Sequence, residues 1–144
     1  GKNIFCIKEY ERLIFEKGKK YLSTYEIKLN EFKEYRLPNG VQLSVKRTME
    51  KAKFHSKTMI LCYNNVMWPL TVRTKNPGDI IKTKIGTKKI NRVFIDEKIP
   101  QRKRDNWPLL VDATGEIIWV IGLQKADVGS VSDSGEFIQV SIVE

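Results

Sequence analysis

Residues 88–122 have the sequence pattern of a helix, a proline-started turn and a β-hairpin in succession, and this succession restricts the possible folds strongly. Ile90, Val93 and Phe94 recur at the i, i+3, i+4 spacing that places three apolar side chains on one buried stripe of a helix. Thr87 is a residue type that caps the free N–H groups at a helix start. We therefore predict a short helix that begins after Thr87 and buries this stripe.

Two apolar runs flank a tight turn directly after this helix. Pro100 suits the first position of a second short helical turn, over residues 100–105. Residues 109–111 and 116–121 then have the composition of strands, and the turn residues 112–115 lie between them. The pattern predicts a β-hairpin with Trp119, which has β-branched neighbours, in the core.

Short strands account for most of the remaining chain. Residues 25–29 alternate apolar and polar side chains, which is typical of a half-buried strand, and Asn39-Gly40 is a strong hairpin turn. Further strands are predicted at 3–7, 12–15, 34–37, 41–45, 59–63, 70–74 and 137–143, with loops at 46–57 and 126–135. The sequence therefore predicts a single β-dominated α+β domain over residues 1–144.

The positive charge of the chain is concentrated in its middle. Residues 73–104 hold 11 Lys and Arg against 3 Asp and Glu, whereas residues 105–144 hold 1 against 7. Within the predicted helix, Lys88 and Lys89 lie at the start and Asp96 and Glu97 near the end, against the preference of the helix dipole. A compact basic segment favours an anionic partner, usually nucleic acid. A merely solvated charged face is the alternative.

The sequence lacks the motifs of a self-contained enzyme. It contains no P-loop, no GxSxG and no GxGxxG after a strand. His55, Cys6 and Cys62 are too few for a four-ligand zinc site, and we interpret both cysteines as buried free thiols in a reducing compartment. No apolar run approaches the roughly 18–20 residues of a membrane span. We predict a cytoplasmic protein with no catalytic residue, no cofactor site and no metal site in this chain.

A series of motifs, kept in order and spacing, resembles the C-terminal domain of tRNA(Ile)-lysidine synthetase. The resemblance is strongest over residues 68–124 and is weaker before residue 68. The matching runs are Trp68-Pro-Leu-Thr-Val-Arg73, Asn76-Pro-Gly-Asp79, Lys88-Lys89-Ile90, Phe94-Ile-Asp96, Lys98-Ile-Pro100, Arg104-Asp105, Trp107-Pro-Leu109 and Ile118-Trp-Val-Ile-Gly122.

The resemblance implies a fold, an activity and partners. The fold is a small β-sandwich-like domain with short helices, shared with the phenylalanyl-tRNA synthetase β subunit. The whole bacterial enzyme uses ATP to join lysine to the wobble cytidine of an isoleucine tRNA. The family's Ser-Gly-Gly-x-Asp-Ser nucleotide loop does not occur in this sequence. We therefore expect ATP and lysine to bind a catalytic domain outside this chain, and we expect this domain to bind the tRNA, at its acceptor stem.

Five basic residues are predicted to form the tRNA-binding face, with Lys89 the one whose stem could lie against the core: Arg73, Lys88, Lys89, Arg92 and Arg104. Arginine suits phosphate because its planar fork matches two phosphate oxygens. Asp79 is interpreted as a brace of the turn or a partner of a nearby arginine. Asn76 and Ile80 stand where relatives often have basic residues. The alternative function is a protein–protein or dimerisation module on which the charge is incidental.

Overall fold

The computed structural model describes residues 24–30, 32–48, 56–128 and 136–143. These residues form two β-sheets and two short α-helices, so the predicted β-dominated α+β class is confirmed. The predicted strands at 3–7 and 12–15, together with Cys6 and His55, lie outside the described residues.

The strands, in chain order, are β1 (Glu26–Leu29), β2 (Glu34–Arg36), β3 (Gln42–Thr48), β4 (Thr58–Cys62), β5 (Leu70–Arg73), β6 (Ile80–Thr83), β7 (Gly86–Lys89), β8 (Leu109–Val111), β9 (Ile117–Val120), β10 (Gln124–Lys125) and β11 (Phe137–Val143). The helices are α1 (Ile90–Asp96) and α2 (Gln101–Arg104), and a 3-10 turn covers Tyr63–Asn65. Most predicted strands are therefore present, with ends that differ by at most three residues.

The larger sheet has seven strands in the order β1-β5-β8-β9-β6-β7, and β10 pairs with β9 outside this path. The β8–β9 hairpin lies in the middle of the sheet, as two apolar runs in succession require. Its register shifts between Leu110 and Val111, where the ladder is irregular. The β6–β9 contact is parallel and the other ladders are antiparallel.

The smaller sheet has the order β2-β3-β11-β4 and packs face to face on the larger one. The predicted turn at Pro38–Gly40 joins β2 to β3; Asn39 accepts the Val41 N–H, and Gly40 adopts a φ of +93° that favours glycine. Alternate side chains of both sheets, including Leu43, Leu61 and Trp119, form the first core. This packing confirms the predicted sandwich-like arrangement.

A second core lies on the opposite face of the larger sheet. There α1 contributes Ile90, Val93 and Phe94, which confirms the predicted apolar stripe. Leu109 and Val111 meet this stripe, while Leu110 between them faces the first core. Because β8 is covered on both faces, its three residues are all apolar and all buried.

The start of α1 differs from the sequence-based expectation. The prediction of a cap at Thr87 is wrong, because residues 86–89 are strand β7 and α1 begins at Ile90 with Lys89 in the capping position. No side chain caps the helix; instead the Ile90 N–H donates to the Asp79 carbonyl oxygen at 3.1 Å. Lys88 and Lys89 are thus not residues of the helix, and only Lys89, in the capping position, still lies at the positive end of its dipole.

One other expectation is corrected by the environment of a side chain. Cys62 is a free thiol, as predicted, but it is half-buried rather than buried. Trp68 is half-buried too, stacked on Tyr63 at a centroid distance of 5.0 Å. Trp119 is buried, as predicted, with no exposed surface.

Candidate nucleic-acid interface

The basic segment 73–104 runs from the end of β5 through the β6–β7 hairpin and α1 to the end of α2. Hydrogen bonds and ion pairs tie these elements to one another. Lys88 of β7 reaches Asp96 of α1, and Lys75 reaches both Asn91 of α1 and Asp105 after α2. The segment therefore folds into one continuous region of the surface rather than into separate patches.

Two of the predicted site residues share one carboxylate. The Lys88 ammonium lies 2.8 Å from Asp96, and the Arg92 Nε lies 3.1 Å from the other oxygen of the same carboxylate. A hydrogen bond from Lys88, followed by the charge of Arg92, lowers the pKa of Asp96 from its usual range. The three groups form a cluster with one excess positive charge, on the solvent side of α1.

Lys88 should therefore be the main control of the ionisation of Asp96. We expect Lys88→Met to raise the pKa of Asp96 towards its ordinary value, and Arg92→Met to raise it less, because the Lys88 hydrogen bond is the largest cause of the shift. Carboxyl chemical shifts followed by NMR during an acid titration measure this directly. Lys82→Met is the matched control, since Lys82 pairs with Glu116 instead. An Asp96 pKa that is the same in Lys88→Met and in Lys82→Met contradicts the assignment.

Arg73 is held in a different way. Its two terminal nitrogens donate to the two carboxylate oxygens of Asp79 at 2.9 and 3.2 Å, and the side chains of the pair are only 16% and 13% exposed. Asp79 also accepts the Asn76 N–H at 2.7 Å, which closes the 76–79 turn. The interpretation that Asp79 pairs with a nearby arginine is confirmed. Arg73 and Asp79 form a brace beneath the basic region, and the guanidinium is directed at a carboxylate.

Arg104 and Lys89, the other predicted site residues, differ from Arg73 in that no acidic side chain in residues 56–128 forms an ion pair with them. Arg104 is half-buried and donates its Nε–H to the Ile99 carbonyl oxygen at 2.8 Å, which fixes its direction at the end of α2. Lys89 is exposed, so its stem does not lie in the core. Within residues 56–128, no acidic side chain forms an ion pair with Lys89, Arg102 or Lys103. Lys84, Lys98 and Arg104 of the same segment likewise form no ion pair with an acidic side chain in this range.

Sequence reasoning did not single out Lys75. Its ammonium donates to the Asn91 side chain at 3.1 Å and lies 3.6 Å from the Asp105 carboxylate. Sixteen and thirty residues separate Lys75 from these partners, so no local pattern reveals the contacts. Only the packing of α1 and α2 beside the end of β5 brings them together.

The tryptophan nearest to this region is engaged by the protein itself. Trp107 packs edge-on against Phe94 at a centroid distance of 6.1 Å, and its indole N–H donates to the Ile121 carbonyl oxygen at 3.0 Å. It is half-buried at the border of the second core. Base stacking on Trp107 is thus disfavoured, and the chemistry of the region is that of lysine and arginine.

Among the described residues there is no group of three or more His, Cys, Asp or Glu side chains arranged to hold a metal ion. None of the helices in the described part of the chain is long and apolar enough to cross a membrane.

Fold and surface together define a class: a small α+β domain in which two sheets and a helix layer carry a basic region on the helix side. Comparison with known proteins identifies the family. The profile described as the TilS substrate C-terminal domain matches residues 70–142. A crystal structure described as the TilS C-terminal domain superposes with a TM-score of 0.79 and 30% identity, over 83% of this chain and 96% of that one. The chain belongs to the TilS C-terminal domain family.

Similar full-length proteins carry the name tRNA(Ile)-lysidine synthase. That of Bacillus subtilis (strain 168) is 35% identical over an alignment of 136 residues, and the match covers 79% of this chain and 29% of that protein. That of Bacillus licheniformis is 38% identical over 123 residues, 83% of this chain and 25% of that protein. The chain thus spans between a quarter and three tenths of the length of these relatives.

Proposed function

We propose that this chain is the tRNA-binding domain of a tRNA(Ile)-lysidine synthase and that it binds the acceptor stem of the isoleucine tRNA. A catalytic domain of the whole enzyme then joins lysine to the wobble cytidine with ATP. The observation that carries the proposal is the basic region on β7, α1 and α2. Ion pairs there leave Lys89, Arg102 and Lys103 without an acidic partner in residues 56–128.

The chemistry of this region suits double-helical RNA. An A-form duplex has a major groove too deep and narrow for side chains, so proteins contact its phosphates and 2′-hydroxyl groups. Lysine and arginine side chains serve such contacts, whereas recognition of single-stranded bases relies on exposed aromatic rings. Trp107 packs on Phe94 instead. In this proposal Lys88, Lys89, Arg92 and Arg104 face the phosphates, and Arg73 supports them through Asp79.

Salt dependence of tRNA binding tests the proposal. Each phosphate contact releases counterions and adds up to about 0.9 to the slope of log K against log salt for a duplex. We expect the triple change Lys88→Ala, Lys89→Ala, Arg92→Ala to weaken binding of isoleucine tRNA and to flatten the slope by about two units. Folding should be nearly unchanged, because exposed charges contribute little to stability. Filter binding or fluorescence anisotropy at four or more salt concentrations gives both quantities.

The matched control removes the same formal charge elsewhere. Lys28, Arg36 and Lys46 are exposed residues of β1, β2 and β3, and their joint replacement by alanine should leave the slope close to that of the parent.

An acceptor-stem minihelix should compete with the whole tRNA, and an anticodon stem–loop should not. If both triple variants bind alike, the proposed face is wrong. Absence of salt-dependent binding by the parent favours a protein-interaction module instead.

A further inference from the structure

A cleft of about 720 Å³ opens beside the basic region, between the 76–79 turn, the start of α1 and the end of α2. Lys75, Lys89, Asn91, Asp79 and Asp105 are among the charged or amide residues that line it. The Asp79 carboxylate is already matched by the two hydrogen bonds from Arg73. The charges that remain are two ammonium groups and the single carboxylate of Asp105.

The position of the Asp105 carboxylate resembles that of an anion bound in the cleft. Its oxygen lies 3.6 Å from the Lys75 ammonium, which is itself held by the Asn91 side chain at 3.1 Å. The lysine side chain is 25% exposed, while that of Asp105 is 86% exposed. The cation is therefore fixed by the fold, and the carboxylate can turn into solvent at little cost because exposed ion pairs are weak.

We propose that this cleft is a phosphate-binding site in which Lys75 and Lys89 hold the phosphate and Asp105 is an internal competitor for it. The proposal rests on the proposed function in taking that phosphate to be one of the RNA backbone. A phosphate that enters must displace the carboxylate from Lys75. The competitor weakens the site for an isolated anion, whereas an RNA anchored by its other phosphates presents one at high local concentration. Asp105 thus lowers the affinity for both kinds of ligand equally, and the anchored polyanion still occupies the site because its other contacts supply the missing free energy.

Inorganic phosphate tests the site without RNA. We expect Asp105→Asn to bind phosphate about threefold more tightly than the parent, detected by NMR as saturable shifts of the Asn91 side-chain amide and the Lys89 backbone amide. Glu97→Gln is the matched control, because it removes the same charge from an exposed residue that does not line the cleft. Equal gains in the two variants show a general charge effect and overturn the proposal, as does the absence of a gain in Asp105→Asn.

Binding of isoleucine tRNA then tests the link to the proposed function. Asp105→Asn should raise the affinity about threefold at low salt, Lys75→Gln should lower it, and Asp105→Asn in the Lys75→Gln background should give no gain. If the parent binds tRNA and Asp105→Asn brings no gain that depends on Lys75, the competitor is refuted while the proposed function stands. If phosphate binds as expected but tRNA does not bind, the proposed function fails and the site remains. Folding of each variant is checked by its amide spectrum.

Discussion

Replacement of Trp119 by alanine is expected to lower the free energy of unfolding by about 3–5 kcal/mol, as other large-to-small changes in cores do. The side chain lies on β9, has no exposed surface and packs in the first core, between the two sheets. Its neighbours belong to strands that are fixed by ladder hydrogen bonds, so they cannot close the resulting cavity. Urea unfolding followed by circular dichroism measures the change.

Trp119→Phe is the matched control. In the described part of the chain the indole N–H has no hydrogen-bond partner, so its removal leaves no acceptor unsatisfied. Phenylalanine keeps most of the apolar contact, and we expect a loss below about 2 kcal/mol. A similar midpoint for the parent and for Trp119→Ala would show that the β8–β9 hairpin is not the centre of the core.

Removal of the Asp79 carboxylate is the second change with a large expected effect. Asp79→Ala should cost about 2–3 kcal/mol, because it leaves the largely buried Arg73 guanidinium without its partner and the Asn76 N–H without its acceptor. The variant should unfold at lower urea concentration with an unchanged m-value.

Glu116→Ala is the comparison for this change. The Lys82–Glu116 pair has the same 2.9 Å separation, but its side chains are 65% and 56% exposed, so its loss should cost less than about 1 kcal/mol. The double change Arg73→Ala, Asp79→Ala should cost less than the sum of the single changes, since each removes the same contact. Equal costs for Asp79→Ala and Glu116→Ala would mean that the brace contributes no more than a surface ion pair.

Local patterns predicted the elements whose causes are local. The stripe of Ile90, Val93 and Phe94 and the two apolar runs around residues 112–115 depend on neighbours within a few positions, and the structure contains both. The β6–β7 hairpin was not resolved by such patterns. Residues 86–89 pair antiparallel with residues 80–83, and that pairing places Lys88 and Lys89 in a strand where the sequence predicted the start of the helix.

The contacts of the candidate site also divide into those between residues close in sequence, which could be predicted, and those that depend on tertiary packing. Arg73 and Asp79 are six positions apart on either side of one turn. The sequence analysis could therefore interpret Asp79 as a partner of a nearby arginine. The Lys88–Asp96 contact spans the junction of a strand and a helix, whose angle is set by the packing of α1 on the sheet. Its prediction requires the tertiary structure. The same holds for Lys75 and Asp105, which a charge count treats as unrelated.

The junction between β7 and α1 has a consequence for the interpretation of variants. Because the first N–H of α1 is bonded to the backbone of Asp79, the helix takes its position from the turn that Arg73 holds. We therefore expect a substitution at Arg73 to displace Arg92 of α1 and the adjoining Lys88 and Lys89 without removing any of them. A loss of affinity alone will suggest that Arg73 contacts the RNA. Only a loss of affinity that persists when the fold of the variant is intact will separate a direct contact from structural support.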